Sequence, residues 1–296
     1  MIFTFRTFAI SLLAVVNLEA IALALNVPCN VFSTEDLKGA DIRPIKNIYT
    51  FGDSYTDYRS DWNVQTYAIS GATCDNLQQN QGSVDMAGQL GLFATRFHTS
   101  SVPLGLTDDP NTTVATLLIG GNDIILMQKK AWGTLPPVAF SNGSIEGTSL
   151  CIKSKLDMMH SLGFRRFVLF EMPPIDKSQR LGSTPEHAAS TAALVKISNE
   201  QTKQHSTELL EKWNDGSTIS IFPTVKLVEP MVELNSAYEF KHGRGNYCNL
   251  TCRDPFSYVW TDDIHLSTRA FQLLANAFVR FLDPDWKSGA IFSDLE

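Results

Sequence analysis

The chain has 296 residues, 44% of them hydrophobic and 19% charged. That balance is ordinary for a globular protein and excludes a disordered class, and the length suits one large domain or two small ones. The formal net charge of −7 argues against a nucleic-acid partner.

Residues 1–24 read as a secretory signal peptide. One positive charge, Arg6, precedes an apolar run from Thr7 to Val16, and Ala22-Leu23-Ala24 supplies a small-x-small cleavage pattern. Asn17 and Glu19 cut the run short of a membrane span. No later segment reaches spanning length, so residues 25–296 are expected to form a single secreted, soluble domain with no membrane partner.

An oxidising compartment gives the five cysteines meaning. Cys248 and Cys252 flank a three-residue loop and are the safest intrachain pair. Zinc on this Cys-x3-Cys would need a second Cys/His pair at suitable spacing, which the chain does not offer. Cys74 and Cys151 are candidates for a second bridge. The odd count, which includes Cys29, leaves at least one thiol free or paired between chains. Sequons begin at Asn111, Asn142 and Asn249, as glycosylation sites on surface loops would.

Short β-rich runs alternate with helical patterns along the chain. Strands are predicted over Asn47–Phe51, Gln65–Ile69, Val114–Ile119, Arg166–Glu171 and Thr218–Phe222. The third is nearly all apolar or β-branched, as a strand covered on both faces requires. After the second strand, Ser83 is read as capping a helix with the stripe Met86, Leu90, Phe93 and Phe97. A second helix is predicted over Ile145–Leu162. Thr184-Pro185-Glu186 opens a third that extends to Trp213. Ser267 opens the last, with Ala270, Phe271, Leu274, Ala277, Phe278 and Phe281 on one face. This alternation implies an open parallel sheet covered by helices on both faces, and such sheets bind ligands beyond the carboxyl ends of their strands.

Small polar blocks stand at those ends: Gly52-Asp53-Ser54, Ser70-Gly71-Ala72 and Gly120-Gly121-Asn122-Asp123. A fourth, Asp262-Asp263-Ile264-His265, precedes the last helix. Acyl transfer needs a nucleophile, a base, a group that orients the base, and oxyanion donors. Ser54 offers the hydroxyl and His265 the imidazole, while Asp262, three residues earlier, can reach His265 on a single turn. Gly71 leaves its N–H unobstructed, Asn122 can donate from its amide, and Ser54 adds its own N–H.

Each block has a plainer reading by itself: a turn serine, a turn glycine, a glycine-rich loop, or an acidic lead-in to a helix. Their conjunction at element boundaries favours chemistry. His98, His160, His187 and His205 belong to helical patterns, and His242 is read as lying in a polar loop. Tyr55 and Trp260 are candidates either for lining a sugar-facing cleft or for core packing. No G-x-S-x-G, H-E-x-x-H or G-x-x-x-x-G-K-[ST] motif occurs.

The blocks FGDSYTD, YAISGATCDN, LLIGGNDI and WTDDIHLS resemble those of the SGNH/GDSL hydrolase superfamily, and in particular its secreted fungal carbohydrate acetylesterases. The resemblance spans roughly Ile48 to Phe281 and is sharp only in the blocks. It implies a three-layer α/β/α sandwich with a five-stranded, flavodoxin-like parallel sheet of order 2-1-3-4-5. Ser54, Asp262 and His265 become the catalytic triad, and Ser54, Gly71 and Asn122 the oxyanion hole. The implied substrate is a small ester or an acetylated plant cell-wall oligosaccharide, hydrolysed by a monomer without metal or cofactor. A lipase or phospholipase, or a non-catalytic secreted binding protein, could use the same scaffold.

Two departures stand out. Gly121 occupies a position where the family usually has threonine. Only residues 55–64 separate the first two predicted strands, whereas a parallel crossover needs a dozen or more, usually with a helix. The shortage is expected to open one wall of the cleft and expose part of the sheet.

Overall fold

The computed structural model describes residues 44–54, 63–96, 105–249 and 252–283. The signal-peptide reading, Cys29, Tyr55, Phe97 and His98 lie outside the described residues.

In chain order the first elements are β1 (Asn47–Gly52), β2 (Asn63–Thr66), β3 (Gln79–Asn80), α1 (Met86–Arg96), β4 (Thr113–Leu118) and α2 (Gly121–Ala131). There follow β5 (Phe140–Ser141), α3 (Ile145–Ser161), β6 (Arg166–Phe170), α4 (Pro185–Trp213) and β7 (Thr218–Phe222). The chain then forms α5 (Thr224–Glu233), β8 (His242–Tyr247), β9 (Tyr258–Trp260) and α6 (Thr268–Leu282).

Five strands form one all-parallel sheet in the order β2-β1-β4-β6-β7. Counted along the chain within this sheet, that is 2-1-3-4-5. The side chains of β4 are buried at every position, as its apolar run requires. Alternate residues feed two cores. Ile48, Val114, Val168, Phe170 and Phe222 face one way, against Val228 and Met231 of α5 and Leu274, Phe278 and Phe281 of α6. Tyr49, Phe51, Ala115, Leu117 and Leu169 face the other, against Met86, Leu90 and Phe93 of α1 and Leu156 and Met159 of α3. Helices on both faces make the three-layer sandwich.

β2 is the exception to this coverage. Asn63 and Thr66 are exposed, and Val64 and Gln65 only partly covered. It is an edge strand of the sheet. The strand also starts earlier than the expected Gln65, because Asn63 pairs with Asn47 at the start of β1. Beyond Thr66 the extended chain keeps its bonds to β1, from Tyr67 N–H to Thr50 O (2.8 Å) and from Ile69 N–H to Gly52 O (3.0 Å).

Thr184 caps α4 by accepting from His187 N–H at 3.2 Å, and Ser267 caps α6 by accepting from Ala270 N–H at 3.2 Å. Ser83 does not cap α1. Asp85, next to the helix, accepts from Gly88 N–H at 2.9 Å and takes that place. His242 opens β8 and stacks on Tyr258, so the expected polar loop is a strand there. Among the described residues no helix is long and apolar enough to cross a membrane.

Two disulfides are present among the described residues. Cys74–Cys151 joins the loop after β2 to α3 with 6.1 Å between Cα atoms. Cys248–Cys252 closes its short loop with 5.5 Å between Cα atoms.

Candidate active site

β1 delivers Ser54 through a backbone that only glycine allows. At Gly52, φ is +119°, and a Cβ would stand 1.9 Å from Leu118 O. Gln89 of α1, fully buried, holds this residue from both sides. Its Oε1 accepts from Gly52 N–H at 2.9 Å and its Nε2 donates to Gly52 O at 2.8 Å. The chain then turns out of the sheet, leaving Ser54 exposed at the carboxyl end of the strand.

His265 arrives from the opposite end of the sequence. The bend between β9 and α6 is closed by Thr261 N–H to His265 O at 2.8 Å. Within it, Asp262 Oδ1 accepts from the N–H groups of Ile264 (2.9 Å) and His265 (2.7 Å). Its other oxygen, Oδ2, lies 2.7 Å from His265 Nδ1. The two side chains thus meet as expected, but in an Asx-type bend rather than on a helical turn. His265 Nε2 lies 3.1 Å from Ser54 Oγ. With Nδ1–H donating to Asp262, Nε2 is the acceptor for the serine hydroxyl.

Partial burial pushes the Asp262 carboxyl up, but the bonds from the His265 ring, His265 N–H and Ile264 N–H outweigh it and hold it at about 2. Asp262 is therefore a carboxylate wherever His265 can act as a base.

The second block forms a turn. Ala72 N–H bonds Ile69 O at 3.1 Å, and Gly71, with φ +79°, takes the third position of a type II turn. The third block opens α2 directly, so Gly121 and Asn122 stand at its amino end, where the helix dipole is positive. Asn122 Nδ2 donates to Ala72 O at 2.9 Å, and its Oδ1 accepts from Gln81 Nε2 at 2.9 Å. The N–H groups of Ser54 and Gly71 have no acceptor among the described residues. A Cβ at Gly121 would meet Asp53 Oδ2 at 3.4 Å, ordinary contact, so glycine here is not a steric need.

Ser54, Gly71, Asn122 and His265 line one cleft of about 400 Å³. Part of its wall is apolar: Leu118, Ile125, Met172, Ile175 and Ile264. Behind it, Asp123 is buried and accepts from Cys74 N–H at 3.2 Å. Burial pushes its carboxyl up to about 7 against the pull of that N–H, and Asp53 adds to the push.

The structure adds residues that the motifs did not name. Gln89 grips the strand end, and Gln81 touches the second and third blocks. Arg180 pairs with Asp263 through Nε (3.0 Å) and Nη2 (2.5 Å), tying the 175–182 segment to the histidine bend. Gln89 had a signal in the sequence, a polar residue between Met86 and Phe93 on the apolar face of α1. Gln81 and Arg180 had none, since their partners are distant in the chain.

Trp260 does not line the cleft. It is fully buried at the end of β9 within the larger core, where its indole area is removed from water. His160 stacks on Trp213 and bonds Asp215, and His187 stacks on Trp132, both away from Ser54. Asn111, Asn142 and Asn249 are all exposed.

The sequence matches no family model and no curated protein.

Proposed function

We propose that the protein is a serine ester hydrolase acting through an acyl-enzyme. The observation that carries this reading is the continuous chain from Asp262 Oδ2 to His265 (2.7 Å) to Ser54 Oγ (3.1 Å) at the mouth of one cleft. In this reading Ser54 Oγ attacks the ester carbonyl carbon and its proton passes to His265 Nε2. Asp262 stabilises the imidazolium. The oxyanion is met by the N–H groups of Ser54 and Gly71 and by Asn122 Nδ2. Collapse of the intermediate expels the alcohol, protonated by His265. Water, deprotonated by His265, then attacks the acyl-enzyme, and the acid leaves as Ser54 recovers its proton.

The finer reading is an acetylesterase acting on plant cell-wall carbohydrate after secretion. It rests on the resemblance of the four sequence blocks, and a cleft of about 400 Å³ is compatible with a short acyl group beside a polar alcohol. The test is hydrolysis of p-nitrophenyl esters of increasing chain length, followed by acetate release from acetylated xylan. Turnover highest on the acetate ester is expected, and Ser54→Ala should abolish it without changing the circular dichroism spectrum. A preference for long chains would favour a lipase instead. No turnover by folded protein would leave a binding role and sink the hydrolase reading.

A further inference from the structure

We infer that Gln81 and Ser83 are positioning residues that hold two oxyanion donors, the Gly71 N–H and the Asn122 amide, in their working orientation. The inference rests on the hydrolase reading above and extends it to residues outside the four blocks.

The Gly71 N–H belongs to the peptide unit between Ser70 and Gly71. This is the middle unit of a type II turn, and it is the unit that rotates when such a turn converts to type I. Rotation would carry the N–H to the other side of the turn. Ser83 Oγ donates to Ser70 O at 2.7 Å. A trans peptide is planar, with its C=O and N–H on opposite edges. Anchoring the carbonyl of Ser70 therefore fixes the direction of the Gly71 N–H.

The Asn122 amide has a comparable ambiguity, because a rotation of about 180° exchanges its acceptor and donor ends. Gln81 Nε2 removes it. It donates to Asn122 Oδ1 at 2.9 Å and to Gly71 O at 2.9 Å. Once Oδ1 is committed to that donor, Nδ2 must lie on the other side. There it uses one hydrogen on Ala72 O and keeps the second for a ligand. One glutamine amide thus sets the polarity of Asn122 and braces the turn that carries Gly71.

The bracing segment is itself held. Asn76 Nδ2 donates to Ser83 O at 2.7 Å, and Asn80 Oδ1 accepts from Gly82 N–H at 2.6 Å. Residues 81–83 line the same cleft as Ser54 and His265. Donors fixed before the reaction need no reorganisation when charge develops, which is where such sites gain rate.

The experiment compares Gln81→Glu and Ser83→Ala with the wild type. Glutamate is nearly isosteric but cannot donate when ionised, so Asn122 should turn its Nδ2 toward it and present Oδ1 to the cleft. On p-nitrophenyl acetate each variant should lose kcat by roughly 10- to 100-fold, with KM little changed. In Ser83→Ala, which adds no charge, the acid limb of the pH profile should stay in place, because Ser54, His265 and Asp262 are untouched. Ser83→Thr, which keeps the hydroxyl, should recover most of the rate. A second readout is independent of turnover: the side-chain amide signals of Asn122 should move in Gln81→Glu, and the Gly71 N–H signal in Ser83→Ala. Wild-type kcat in both variants, or unmoved amide signals, would overturn the inference while leaving a hydrolase that loses activity in Ser54→Ala intact. A wild type without turnover would instead remove the hydrolase reading, and the amide signals would still decide the positioning role.

Discussion

Asp262 shows what one carboxylate can do at a bend. It receives two backbone N–H groups through Oδ1 and the imidazole through Oδ2. The first two bonds shape the bend, and the third fixes the ring. Asp262→Asn keeps much of the shape but can present an N–H to His265 Nδ1. That favours the tautomer whose Nε2 carries the hydrogen and cannot accept from Ser54. We expect kcat to fall by roughly 10³- to 10⁴-fold, measured on p-nitrophenyl acetate. In the wild type, with Asp262 held at about 2, its protonation should not contribute to any fall in rate above about pH 4. An infrared signal of a protonated Asp262 carboxyl above that pH would contradict the assignment. Ser54, Gly71, Asn122, Asp262 and His265 were legible because each residue type announces its chemistry at a strand end. Gln81 was not, since a glutamine among polar neighbours acquires meaning only from the two acceptors it meets.

At the scale of elements, caps and apolar runs carried the sequence reading. Thr184 with Pro185 located the start of α4, and Ser267 that of α6. Thr184 is exposed and away from the cleft, so Thr184→Ala should cost about 1 kcal/mol. A lower urea midpoint with unchanged kcat is the expected outcome. Ser83 misled because a serine near an apolar stripe resembles a cap, while Asp85 stands nearer the first turn and takes the bond. α2 went unread because it opens on Gly120-Gly121, a loop signal. Gly120 takes φ +110° at its cap position, where glycine is at ease, and the helix follows at once. α5 was missed as well; it carries Pro230 in its interior, which weakens any helical pattern. Its apolar face, Leu227, Val228, Met231 and Val232, is buried in the core, and that packing overrides the local preference.

For the whole molecule, the buried wall behind the cleft links the site to stability. Asp123 packs on the backbone of Cys74, whose disulfide reaches α3. Its carboxyl stands at about 7 in the fold against an ordinary 3.8. Below the ordinary value both folded and unfolded chains hold the proton, and the group imposes no penalty. As pH rises, the unfolded chain loses its proton first, so this group's contribution to stability declines until the folded carboxyl also ionises near 7. Asp123→Asn removes that dependence and can still accept from Cys74 N–H. The stability difference between variant and wild type should therefore shift in favour of the variant from about pH 4 to about pH 7. Urea melts at both values would check it; a difference independent of pH would show that Asp123 ionises alike in both states.

The sequence by itself determined the alternation of strands and helices, the strand ends at which small polar residues gather, and the identity of five candidate groups. These are local properties, set by periodicity, by caps and by residue chemistry. The tertiary structure decided which of those groups meet. It brought Ser54 within 3.1 Å of a histidine 211 residues away, buried Trp260 instead of lining the cleft with it, and placed Gln81, Gln89 and Arg180 against partners that no local pattern names. A hydrogen bond between distant segments depends on the packing of whole layers, and that packing is encoded in the chain only collectively.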